Sequence, residues 1–233
     1  MGTSMRRIIA GLSVVLALGC AGGRGSGAPP AHVEPTLAER LKTLPPAEQL
    51  ATLRPLGEAD SSNADVAFYT GNAYYAIGSA FSPEQRSEAV AYFDSAVAEY
   101  RRAVRADSTM SKAWVNMGLA FEAKGGHADA RRSLQSAIAI NPRDVLAYCH
   151  LGYLEQQEGN VSEAIGLYKQ ALAIDPNSPQ AHYNLGLAFA EAKVFKEAVV
   201  EWETVVRLDP DGELGRTAAE NVKIIRQYLS TTP

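Results

Sequence analysis

The chain has 233 residues, 46% of them hydrophobic, with 22 basic and 26 acidic side chains and a formal net charge of −4. That balance excludes a disordered or transmembrane composition, and the lack of a basic excess removes the main electrostatic signature of nucleic-acid binding. Two cysteines are too few for a disulfide framework.

Arg6-Arg7, the eleven-residue apolar run from Ile8 to Leu18, and Gly19-Cys20 read as an export leader over residues 1–19. The run is too short to span a bilayer, which needs about twenty residues. Met5 offers a second possible start, and the general secretory route is preferred because the rest of a twin-arginine motif is missing. The ending Leu16-Ala17-Leu18-Gly19-Cys20 resembles a bacterial lipobox in which Ala17 and Leu18 have exchanged places. That resemblance implies acylation of Cys20 after cleavage; a plain signal peptide or an uncleaved anchor are the alternatives. Loss of residues 1–19 leaves 20 basic and 26 acidic residues, a net charge of −6, so membrane attachment rests on acyl chains rather than on attraction to anionic lipid. On the lipobox resemblance residues 20–33 are expected to be the lipidated cysteine and a Gly/Ser/Pro-rich tether, holding the folded part about 20 Å from its anchor. Ala21 after the cysteine, rather than Asp, resembles lipoproteins released to the outer membrane, which implies that location, facing the periplasm.

Residues 34–63 hold two short helical candidates, Thr36–Leu44 and Ala47–Leu53, split by Pro45-Pro46, then a polar loop Gly57–Asn63. They are too short to stand alone and are expected to cover one end of the longer helices C-terminal to them. Residues 64–110 begin with a helix over Ala64–Gly78. Ser82-Pro83-Glu84-Gln85 then carries an N-cap serine, a proline at the first helical position and a glutamine three residues on. One helix over about 83–105, near 35 Å long and projecting beyond its neighbours, is the simplest reading. An unstructured insert followed by a shorter helix is the alternative.

From 111 to 212 the sequence repeats three times at an offset of thirty-four, as 111–144, 145–178 and 179–212. Gly118/Gly152/Gly186, Ala130/Ala164/Ala198 and Pro142/Pro176/Pro210 are identical columns. Trp114/Tyr148/His182, Met117/Leu151/Leu185, Leu134/Tyr168/Trp202, Ala137/Ala171/Val205 and Ile140/Ile174/Leu208 are apolar or bulky ones. Apolar positions recur at three- and four-residue spacing, so each copy is two amphipathic helices joined by a polar turn. Small columns allow close helix approach, large columns fill the space, and each proline ends the second helix. This pattern of aromatic, Leu-Gly, aromatic, Ala, aromatic, Ala and Pro resembles the tetratricopeptide repeat family. Two positions depart from it: Glu155, where the other copies have Phe121 and Phe189, and His182 in the first aromatic column. Gly71, Tyr74, Ala96, Tyr100 and Ala103 fit the same columns in a degenerate first repeat whose second helix is displaced by about thirteen residues. The resemblance implies an all-α fold: a tetratricopeptide-repeat α-solenoid, a right-handed superhelix of antiparallel helix pairs. Residues 213–230, with Leu214, Ala218, Val222, Ile225 and Leu229 on one stripe, form a capping helix that covers the last apolar face.

No constellation supports catalysis, a cofactor or a metal. His32, His127, His150 and His182 lack a carboxylate or thiol at ligand spacing, and no phosphate loop or nucleophile elbow occurs. The chain therefore reads as a non-enzyme. In the family it resembles, the first helices line a concave groove. Carried over by position, that groove comprises Phe68, Asn72 and Tyr75, then Val115, Asn116, Leu119 and Glu122, then Cys149, His150, Tyr153 and Gln156, then Tyr183, Asn184 and Leu187. Aromatic and amide side chains of this kind suit a peptide or helix of a protein partner. The bland reading is family consensus or packing between helices, and for Cys149 a small buried hydrophobe. Lys112 alone answers the family's basic clamp, which disfavours C-terminal carboxylates as ligands. The expectation is a protein-interaction adaptor of the bacterial envelope. The chain also resembles in outline the tetratricopeptide lipoproteins that assemble pilus secretins or outer-membrane complexes, the alternative role.

Overall fold

The computed structural model describes residues 36–231; the leader, Cys20 and the tether lie outside the described residues. Among those described there are eleven α-helices, one 3-10 turn and no strand. They divide into two compact units, 36–125 and 126–231. No helix among the described residues is long and apolar enough to cross a membrane.

In residues 36–125, α1 (Leu37–Leu41) starts on a capping box in which Thr36 and Glu39 bond each other's backbone N–H. The second helix, α2 (Pro46–Ala59), runs through Pro55 and well past the Leu53 end expected from sequence, so the expected loop from Gly57 shrinks to residues 60–63. A proline inside a helix costs about 3 kcal/mol. Burial offsets it: Leu41, Leu53 and Val66 form a core flanked by Leu37, Leu44, Leu56 and Tyr69, worth roughly 2 kcal/mol per buried leucine. Gln49 Nε2 donates to the Leu41 and Leu44 carbonyls at 3.2 and 2.9 Å and so ties α2 to the end of α1. Helix α3 (Ala64–Ser79) comes next, its N-terminus capped by Asn63 Oδ1 on the Val66 N–H at 3.0 Å.

The long helix expected over 83–105 is a 3-10 turn, Pro83–Gln85, leading into α4 (Arg86–Ala106). It does not project freely. At 16 residues α3 is longer than the 13-residue α5 (Ser111–Ala123) and runs alongside α4, with Phe93 lying over Gly78 and Tyr100 over Gly71. Residues 83–88 are exposed on every side, whereas from Ala89 onward one face is covered, with Ala89, Phe93, Ala96, Val97 and Tyr100 buried.

Residues 126–231 contain α6 (His127–Ile140), α7 (Val145–Gln157), α8 (Val161–Ile174), α9 (Pro179–Glu191), α10 (Phe195–Leu208) and α11 (Glu213–Thr231). Asp144 and Ser178 cap α7 and α9 by accepting the Ala147 and Ala181 N–H groups. The contact that fixes each helix pair is a glycine under an aromatic ring. A Cβ at Gly152 would stand 2.7 Å from the Tyr168 ring, and one at Gly186 would stand 2.5 Å from Trp202 Nε1. Both rings are fully buried, each worth roughly 2–3 kcal/mol. Trp202 Nε1 donates to the Tyr183 carbonyl at 3.2 Å.

The two departures from the repeat pattern are filled by polar contacts. Glu155 is buried and accepts from Arg131 Nε and Asn160 Nδ2, both at 2.8 Å, while Arg131 Nη2 donates to Glu158 at 2.6 Å. His182 sits between Glu201 Oε2, 2.6 Å from Nδ1, and the Pro176 carbonyl, 3.0 Å from Nε2. Helix α11 buries Ala218, Val222 and Ile225 against Trp202 and Val205, but Leu229, at the end of the expected stripe, is 41% exposed.

Candidate functional site

Six of the residues carried over as groove lining are buried inside the helix pairs: Phe68, Val115, Cys149, His150, Tyr183 and Asn184. They build the wall and present little surface. Burial pushes the Cys149 thiol up to about 12, so it stays a neutral, unreactive side chain. The Tyr183 hydroxyl meets Asn221 Nδ2 of α11 at 3.5 Å, and burial raises this phenol to about 12. Asn184 Oδ1 accepts from Gln180 at 2.9 Å, while its Nδ2 is buried without a partner.

The other eight, Asn72, Tyr75, Leu119, Asn116, Glu122, Tyr153, Gln156 and Leu187, are half-buried. In residues 36–125, Asn72 on α3 and Asn116 on α5 come together. Asn72 Oδ1 accepts from the Tyr100 hydroxyl at 2.9 Å and from Asn116 Nδ2 at 2.8 Å. Tyr100 is held by its seat over Gly71, so it fixes Asn72, and Asn72 fixes Asn116. The Asn72 Nδ2 donor and the Asn116 Oδ1 acceptor have no partner among the described residues. One donor and one acceptor side by side match the N–H and C=O of a peptide backbone. Nearby, Lys112 Nζ lies 4.6 Å from the Phe68 ring centroid and 3.6 Å from Asp65.

In residues 126–231 the corresponding amide is used differently. Gln156 Oε1 accepts from the Tyr168 hydroxyl at 3.2 Å and its Nε2 donates to Glu191 at 2.8 Å, joining α7, α8 and α9. Sequence reasoning missed Tyr100, Tyr168 and Glu191 as partners of these amides. For the two tyrosines the only sequence signal is that the aromatic column carries a polar tip, and Glu191 carries none. No group of three or more metal-ligating side chains occurs among the described residues.

Residues 87–145 match the family model described as tetratricopeptide repeat, and residues 154–193 match one described as TPR repeat. A crystal structure of MamA is 21% identical, covering 76% of this chain and 97% of that one at a TM-score of 0.61. The fold is that of the tetratricopeptide repeat. YrrB, described as a TPR protein with an unusual peptide-binding site, is 22% identical over 78% of this chain and 88% of its own, at a TM-score of 0.57. The first TPR of Spaghetti (RPAP3), solved with the HSP90 peptide SRMEEVD, is 18% identical over 54% of this chain and 97% of its own, at 0.50. At these identities the likeness is one of fold. No curated protein matches the sequence. Tetratricopeptide-repeat proteins are typically interaction modules without catalysis.

Proposed function

We propose that this protein is a non-catalytic adaptor that captures an extended peptide segment of a protein partner on the face carrying Asn72 and Asn116. The paired amides carry this reading: they are pre-ordered by Tyr100 and offer one free donor and one free acceptor. A pre-ordered pair loses little side-chain entropy on binding. The peptide-binding site named for YrrB and the HSP90 peptide bound to the first TPR of Spaghetti support the same class of ligand. Cys20, at the end of the apolar leader, tethers the adaptor by lipid to the bacterial envelope, at the outer membrane facing the periplasm.

A photo-cross-linking residue at Leu119, one turn from Asn116 on α5, tests the site in native membranes. Cross-links to a partner that disappear in the Asn116→Leu protein support the reading; cross-links unchanged by that substitution reject it. Recovery of a secretin or barrel-assembly protein assigns the partner to envelope assembly. The mass of the mature N-terminus tests the anchor, and an unmodified Cys20 or an intact leader removes it.

A further inference from the structure

A second surface lies in the groove of about 680 Å³ between α10 and α11, lined by Glu203, Val206, Arg207, Ala219, Val222, Lys223 and Arg226. Helix α11 begins at Glu213, one thirty-four-residue period after α9 begins at Pro179. It therefore stands in register as the first helix of another repeat. The seven groove positions have counterparts one period earlier: Lys169, Leu172, Ala173, Leu185, Ala188, Phe189 and Ala192. There the groove is closed, with Leu185 and Ala188 buried in a core with Tyr168 and flanked by Leu172 and Phe189.

Two changes separate the closed groove from the open one. Leu185 and Phe189 give way to Ala219 and Lys223, which hollows the space. Ala173, Phe189 and Ala192 give way to Arg207, Lys223 and Arg226, which places three cations around a floor of Val206, Ala219 and Val222. A terminal face made merely soluble could carry either sign of charge. Here three of the four substitutions that change charge are cationic and one, Lys169 to Glu203, is acidic, which leaves the groove positions net positive in a chain with 26 acidic and 22 basic residues. Glu203 pairs with Arg226, Arg207 bonds only the Thr204 hydroxyl, and Lys223 has no acidic partner among the described residues.

We infer that this groove docks an acidic amphipathic helix of a partner protein, its apolar stripe on Val206 and Val222 and its carboxylates between Arg207, Lys223 and Arg226. The site is independent of Asn72 and Asn116, so an adaptor holding a peptide there could engage a second acidic segment here.

The probe is a synthetic helix of about five turns with leucines at three- and four-residue spacing flanked by glutamates, against the same peptide with lysines. Binding to the full mature chain is read by fluorescence anisotropy. The glutamate peptide is expected to bind at least about tenfold tighter than the lysine peptide and to weaken with added salt. Lys223→Glu and Arg207→Glu, both at exposed positions, are expected to weaken it about tenfold each, and Glu203→Gln, which frees Arg226, to strengthen it. Asn116→Leu is expected to leave it unchanged, which separates failure here from failure of the peptide face. Equal binding of the two peptides, no binding of the glutamate peptide, or indifference to Lys223→Glu overturns the inference. So does a concentration-dependent dimer of the wild type that Lys223→Glu abolishes, since the occupant is then a second copy.

Discussion

Gly186→Ala and Gly166→Ala make the same chemical change within the same unit, and the structure gives them opposite signs. Alanine is favoured over glycine in a helix interior by about 1 kcal/mol. At Gly166 in α8 an added Cβ has nothing within 4 Å, so that gain is realised. The melting temperature should rise by about 2–4 °C. At Gly186 in α9 the Cβ would stand 2.5, 2.7 and 2.9 Å from three atoms of the Trp202 indole. The indole is fully buried and its Nε1 is bonded to the Tyr183 carbonyl, so it cannot swing away. Either α9 and α10 separate or the bond is lost. Overpacking costs about 1–3 kcal/mol and the bond about 1 kcal/mol, against a propensity gain of about 1 kcal/mol. The net expectation is a loss of about 1–3 kcal/mol. Urea unfolding followed by circular dichroism at the helical band reads both variants. A Gly186→Ala protein as stable as wild type would refute the account of how the helix pairs are held.

Glu155→Ala removes the acceptor of both Arg131 Nε and Asn160 Nδ2 and should cost about 2 kcal/mol, roughly 4–8 °C in melting temperature. Burial raises the Glu155 carboxyl, but the bonds from Asn160 and Arg131 and the charge of Arg131 outweigh it and hold the group below its ordinary 4.5. Its contribution is therefore complete above pH 4.5 and lost as pH falls through the lower folded value, so the gap between wild type and Glu155→Ala should narrow in acid titrations. A gap that widens below that pH would contradict the assignment. Lys193 holds φ 62° at the turn position where Gly159, one period earlier, holds φ 83°. Lys193→Gly should stabilise by up to about 1 kcal/mol in the same urea assay, because a side chain in the left-handed region is strained. An unchanged or lower midpoint would show that Lys193 is unstrained.

The repeat columns made the helix pairs legible because backbone approach and ring burial recur at the same spacing. Gly152 and Tyr168, like Gly186 and Trp202, are sixteen residues apart; Gly71 and Tyr100 are twenty-nine apart, and the thirteen-residue difference is the insertion. That arithmetic located Tyr100 but not the lengthening of α3 that keeps Phe93 covered, since pairing along two helices is a tertiary property. The helix expected to end at Leu53 runs on through Pro55 because the local cost of the proline is outweighed by leucines packing on a later helix. At the candidate site, periodicity put residues on the right helices without saying how far each is covered. Tyr183 is buried because α11 packs on it, and Asn72 reaches Asn116 across 44 residues of chain. Lys193 shows the opposite failure: a turn that glycine marks elsewhere keeps its conformation without one.

The central claim is that Asn72 and Asn116 hold a peptide backbone. A peptide selected from a random display library on the mature protein, titrated calorimetrically against wild type and Asn116→Leu, tests it most directly. The expected result is an affinity about five- to tenfold weaker for Asn116→Leu, about 1 kcal/mol, with a small change in unfolding midpoint. Equal affinities for selected peptides, or peptides that map to α10 and α11 instead, would contradict it.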